Sequence, residues 1–233
     1  MIHNINVSDL TVSIVIPDGL TKPAETILYM IYPSMVGFPD NWLDTHANRY
    51  ETPIAVVYVP ADRWNDYLTP WPEPGETKDA QPFAGLASQF LDVIGGEVIP
   101  ACEALIKPAN EFSRQLLGVS LSGLFTLWQW PGCNLFESIA CLSGSFWYAG
   151  FVKWFETQKL DKRKGNAYFL LGETEPRAHI VAYRSVGVNT EAIVERLKAS
   201  GIPTTFQWVP GNHFANPLGR AELALSHLLG SDG

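Results

Sequence analysis

A serine, a carboxylate and a histidine follow one another near the ends of three strand-like runs. They are Ser120 in "LLGVSLSGLF" (116–125), Glu175 in "LLGETEP" (170–176) and His213 in "VPGNHFANP" (209–217). A histidine that takes the proton of a serine hydroxyl makes it a nucleophile. A carboxylate behind the histidine holds its tautomer and stabilises the imidazolium that forms. Each residue has an ordinary reading taken singly: Ser120 as a helix N-cap, Glu175 as a solvated loop acid, His213 as a polar loop residue. Their joint placement, in the order serine, acid, histidine, points to acyl-transfer chemistry.

The serine lies in a near match to GxSxG, the tight strand-to-helix turn that lifts a nucleophile above a sheet. Such a turn tolerates only small residues two positions either side of its centre. Centred on Ser120, those neighbours are Gly118 and Ser122; centred on Ser122, they are Ser120 and Leu124. Leucine is too bulky, so the nucleophile is assigned to Ser120, with Ser122 standing where glycine is usual. For the acid, a GxxD-like spacing from Gly172 selects Glu175, and Glu173 remains the alternative as a loop or substrate-side residue. One oxyanion donor is expected at the backbone N–H of Leu121. The other is expected at Ser34 or Met35, in the glycine- and proline-marked loop "YPSMVGFPDNW" (32–42).

The remaining histidines and cysteines carry less. His179 and His227 fall on expected helices as surface or boundary residues, and His46 in "NWLDTHANRY" is at most a substrate contact. Three cysteines without close pairing, Cys141 among them in an apolar run, suggest buried thiols, not a disulfide framework. No HxxxH or HxH spacing occurs, so neither a metal nor another cofactor is expected.

Apolar runs rich in Val, Ile, Tyr and Phe predict strands at 10–17, 25–33, 52–60, 115–120, 138–144, 167–172 and 204–211. Helices are expected at 82–105, 122–131, 150–159, 189–201 and 216–230. In the fourth, Ile193 and Val194 sit four and three residues before Leu197, and Gly201 ends it ahead of Pro203. The last opens with Asn216 as N-cap and Pro217 at the first helical position. This alternation predicts one α/β domain over 1–233, with a mostly parallel central sheet flanked by helices. The proline-rich, aromatic segment 61–81 resists the pattern and follows a strand, which places it at the ligand-binding edge of such a sheet.

Composition narrows the partners. A net charge of −8, with one short basic run "KLDKRKG", disfavours nucleic acid and anionic membranes. No apolar run reaches the roughly 18 residues of a membrane span, and "MIHNINVSDLTVSIVIPDG" lacks a basic start followed by a long apolar core. The expectation is a cytoplasmic protein acting on a small molecule; a homo-oligomer is left open.

On several motifs the chain resembles the α/β-hydrolase esterase family that includes enterochelin esterase-like proteins, esterase D (S-formylglutathione hydrolase) and the mycolyltransferases. The motifs are "GVSLSGLF" for the family's GxSxGG elbow, "DRWNDYLTPWP" for its RxxDxTP segment, "ACLSGSFWY" after the next strand, "LLGETE" for GxxE and "PGNHFANP" for the histidine loop. The resemblance runs from about residue 25 to the end. It implies an α/β-hydrolase fold with Ser120 as nucleophile, Glu175 as acid and His213 as base. Arg63, Asp66, Tyr67 and Trp71 match the segment that shapes the wall near the site in that family. The short stretch between 144 and 165 leaves little room for a cap. Trp64, Tyr67, Trp71, Phe146, Trp147 and Tyr148 are candidates to line an open cleft, although such aromatics more often pack the interior. The implied activity is carboxylic-ester hydrolysis through an acyl-enzyme. The alternatives are acyl transfer to another alcohol, and a catalytically silent hydrolase-fold binding protein.

Overall fold

The computed structural model describes residues 2–16, 22–33, 53–160 and 165–229. Ser34, Met35 and His46 lie outside these described residues.

Among the described residues, the apolar runs and one further strand assemble into a sheet of eight strands. They are β1 (Ile2–Val7), β2 (Leu10–Val15), β3 (Thr26–Tyr32), β4 (Ile54–Pro60), β7 (Ser113–Val119), β8 (Ser138–Leu142), β9 (Ala167–Gly172) and β10 (Thr204–Val209). Their order across the sheet is β1-β2-β4-β3-β7-β8-β9-β10, with β5 (Pro72–Glu73) and β6 (Phe83–Ala84) pairing separately. From β4 to β10 every pairing is parallel, whereas β1 and β2 pair antiparallel. All the parallel strands therefore end at one edge of the sheet, the edge at which open α/β sheets bind ligands.

The strands read as continuous apolar runs because both faces are covered. Alternate residues serve two cores: Tyr29, Val57, Leu116, Ile139 and Phe169 belong to one, and Leu28, Val56, Leu117, Ala140 and Leu170 to the other. The first core is closed by Phe90, Ile99, Leu124, Phe125, Phe151 and Ile193 from helices on that side. The second is closed by Ala221, Ala224, Leu225 and Leu228 of the last helix. The helices are α1 (Trp64–Tyr67), α2 (Ala87–Val93), α3 (Ile99–Ile106), α4 (Leu121–Gln129), α5 (Phe151–Glu156), α6 (Val186–Ala199) and α7 (Pro217–Leu229).

Several elements differ from the sequence expectation, among them α6, which starts at Val186, not 189. Strand β1 was not anticipated: it is an edge strand joined to β2 through Ser8, which has φ 53°, and its polar residues conceal the strand signal. The helix expected from 82 starts at Ala87, because Phe83–Ala84 instead pairs with Pro72–Glu73. It then passes through a π-helical turn, Ile94–Val98, into α3, where Pro100 has no N–H to donate to the preceding turn. The caps follow expectation. Gly201 has φ 77° just past α6, and Asn216 Oδ1 accepts from Gly219 N–H at 3.2 Å at the start of α7.

Candidate active site

Ser120 stands between the end of β7 and the start of α4 with φ 55° and ψ −121°, a positive-φ conformation that a non-glycine residue adopts only when its surroundings enforce it. The enforcement is visible. Its N–H donates to the Leu142 carbonyl at 3.0 Å, and its carbonyl accepts from Leu124 N–H at 3.1 Å and Ser145 N–H at 2.9 Å. The crossing of strand and helix is so close that a Cβ on Gly118 would lie 2.2 Å from the Ser122 carbonyl oxygen. Glycine at 118 is thus a steric requirement of the turn.

Ser122, the departure from the usual glycine, is fully buried and satisfied. Its hydroxyl accepts from Val119 N–H at 2.7 Å and faces the carbonyls of Ile31 at 2.7 Å and Val119 at 2.8 Å. The extra side chain ties the elbow to the end of β3.

Beyond β9, a 3-10 turn buries Glu175, 7% exposed. Its Oε2 meets His213 Nδ1 at 2.8 Å. Its Oε1 accepts from the Ser143 hydroxyl at 2.7 Å, Gly172 N–H at 2.7 Å and Arg220 Nη1 at 3.3 Å. Burial alone pushes the Glu175 carboxyl up. The bond to His213 and its charge, with the bonds from Ser143 and Gly172, outweigh burial and hold the carboxyl below the ordinary glutamate range. Glu173 is exposed, its N–H donating to the Val209 carbonyl, and has no place in this pair.

A cleft of about 620 Å³ opens over this edge of the sheet. Ser120, Leu121, Glu175, His213 and Trp147 all line it. Ser120 Oγ lies 3.3 Å from Ser145 Oγ. The far wall joins Trp147 to Tyr183, ring centroids 4.4 Å apart, and Tyr183 donates its hydroxyl proton to Glu76 at 3.0 Å. Burial and the neighbouring Glu76 carboxylate raise the Tyr183 phenol well above its ordinary value, so the phenol remains a donor.

Arg63, Tyr67 and Trp71, expected at the substrate side, do not line this cleft; they build its support. Arg63 is engaged with Asp66 and Tyr67, Tyr67 stacks on Phe90 at 5.2 Å, and Trp71 donates to the Ala149 carbonyl at 3.1 Å while packing on Tyr148 and Phe151. On the short helix α1 it is Trp64 and Asn65 that reach the cleft, while Tyr67 turns to Phe90. Phe146 and Tyr148 are buried. His179, expected on a helix as a surface or boundary residue, lies outside any helix, is exposed and lines the cleft with Arg177. The sequence reading missed Ser143, Ser145 and Arg220. The two serines stand in the motif "ACLSGSFWY", but Arg220 carries no local signal because its partners come from three distant turns. Among the described residues no cluster of His, Cys, Asp and Glu could hold a metal ion, and no helix is long and apolar enough to cross a membrane.

No family model matches the chain. The uncharacterized protein YbbA of Bacillus subtilis (strain 168) is 27% identical over 152 residues, a match spanning 64% of this chain and 60% of that protein, less than two thirds of its length. Among solved structures, an IroE-like serine hydrolase from Shewanella oneidensis superposes with TM-score 0.81 at 13% identity, covering 99% of this chain and 80% of the other. The siderophore hydrolase EstB from Aspergillus nidulans gives 0.78 at 16% identity, covering 98% and 94%. Enterobactin hydrolase IroE in complex with DFP gives 0.73 at 20%, covering 99% and 94%. An eight-stranded, mostly parallel sheet with a strained serine after β7, an acid after β9 and a histidine after β10, superposing on these hydrolases over nearly its whole length, is an α/β-hydrolase fold.

Proposed function

We propose that the protein is a serine hydrolase of small-molecule carboxylic esters, working through an acyl-enzyme on the triad Ser120, His213 and Glu175. The observation that carries this reading is the pairing of a nucleophile-type backbone at Ser120 with a buried Glu175 bonded to His213 at 2.8 Å in the same cleft. In this mechanism Ser120 Oγ turns from Ser145 toward the imidazole, gives it its proton and attacks the ester carbonyl. Glu175 holds the Nδ1–H tautomer, leaving Nε2 to accept the proton and then pass it to the departing alcohol. The Leu121 amide, first in α4, donates to the oxyanion. The second donor falls to the loop after β3, at Ser34 or Met35. Water, activated by the same histidine, then releases the acid.

The siderophore hydrolases among the structural neighbours direct the choice of substrates: cyclic and linear siderophore esters beside short and long acyl nitrophenyl esters. The direct test is reaction with a fluorophosphonate probe and mapping of the adduct. Labelling at Ser120 that disappears in Ser120→Ala and slows in His213→Ala is expected. No labelling, together with no turnover of short-chain nitrophenyl esters, refutes the enzyme reading.

A further inference from the structure

We propose that Arg220 is a positioning residue that locks the acid and the histidine of this site into one geometry. The inference rests on the triad reading above. Arg220 lies at the start of α7, its N–H bonded to the Asn216 carbonyl at 3.0 Å, and its side chain is 5% exposed. A buried guanidinium needs partners, and this one takes them from three different turns at the sheet edge. Nη1 donates to Ser143 Oγ at 2.9 Å after β8 and to Glu175 Oε1 at 3.3 Å after β9. Nη2 donates to the Asn212 carbonyl at 2.7 Å after β10.

Each contact acts on a different part of the machinery. Asn212 immediately precedes His213, in a loop whose Gly211 has φ 98°, so holding its carbonyl fixes the point from which the imidazole projects. Because Arg220 donates to Ser143 Oγ, the Ser143 proton is directed to Glu175 Oε1. That oxygen is then fully occupied, and Oε2 is the one left to face His213. The packing leaves room for this arrangement: a Cβ on Gly172 would lie 2.7 Å from Arg220 Nη2 and 2.9 Å from Glu175 Oε1. Only a planar fork reaches acceptors on three turns at once; a lysine ammonium is a single point.

A residue that merely stabilises the fold would change how many molecules are active, not how fast each one works. The test therefore counts active sites by fluorophosphonate titration carried to completion and expresses kcat per titrated site. Wild type, Arg220→Met, Arg220→Lys and Ser120→Ala are compared on a short-chain nitrophenyl ester. Arg220→Met is expected to lose at least tenfold in kcat per site with KM within threefold, and Arg220→Lys to lie between it and wild type. A wild-type kcat per site in Arg220→Met overturns the proposal. Should Arg220→Met not fold, Arg220→Lys decides, and a wild-type value there overturns it equally. A wild type that does not label refutes the triad itself, and this inference falls with it; a wild type that labels while the Arg220 variants match it refutes the inference alone.

Discussion

The hydroxyl of Ser122, inside the first turn of α4, sits 2.7 Å from the carbonyl of Ile31 near the end of β3. A side chain at a position where glycine is usual therefore joins the turn that carries Ser120, the proposed nucleophile, to the strand that leads into residues 34–52. It also accepts the N–H of Val119 at 2.7 Å.

Removing that hydroxyl takes a hydrogen bond from the part-buried Val119 amide and one from the buried Ile31 carbonyl. Ser122→Ala is expected to cost about 1–3 kcal/mol of stability, measured by urea denaturation. An unchanged midpoint would show that water or a small backbone shift replaces the lost bonds.

Gly118→Ala is expected to be more damaging. Its new methyl would meet the Ser122 carbonyl at 2.2 Å, and backbone cannot step aside as a flexible side chain can. A cost of several kcal/mol, beyond the roughly 1–3 of ordinary overpacking, follows. Soluble, cooperatively melting Gly118→Ala protein with wild-type Tm contradicts this.

The two glutamates after β9 should behave oppositely. Glu175→Gln keeps the shape but removes the charge behind His213, and kcat is expected to fall by about a hundredfold or more. Glu173→Gln, on the exposed side of the turn, is expected to stay within about twofold, the scale of a surface change. Steady-state kinetics on one ester compares them, and a larger loss at Glu173 reverses the assignment.

Glu175 also sets an acid limit on stability. Its carboxyl is held below the ordinary 4.5 despite burial, through the bond and charge of His213 and the bonds from Ser143 and Gly172. A group whose folded value is lowered stabilises fully above its unfolded value, and that contribution disappears as pH falls through the folded value. Between roughly pH 5 and 3 the wild type should therefore lose stability more steeply than Glu175→Gln. Urea midpoints across that interval provide the measurement, and parallel slopes for the two proteins would contradict the linkage.

The central strands were readable because a strand covered on both faces is apolar along its whole length, as in "IAVVYVP" of β4. The edge strand β1 was not, since its exposed positions are polar and its identity comes from pairing with β2. Trp71 and Tyr67 misled for a related reason. An aromatic ring suits a cleft wall and a core equally, and only packing against Phe151 and Phe90 decides between them.

By itself the sequence determined the order of Ser120, Glu175 and His213, the placing of Ser120 and not Ser122 at the centre of the tight turn, and the alternating elements that bring all three to one edge. Those follow from local rules: the size limits of a tight turn, the period of apolar residues, and short connections between strand and helix. Only the tertiary structure decided that Glu175 and not Glu173 faces His213, that Ser122 bonds Ile31, and that Arg220 reaches Ser143, Glu175 and Asn212 together. These depend on where separate loops converge in space, and that convergence is set by the packing of the whole sheet, not by the residues beside each one.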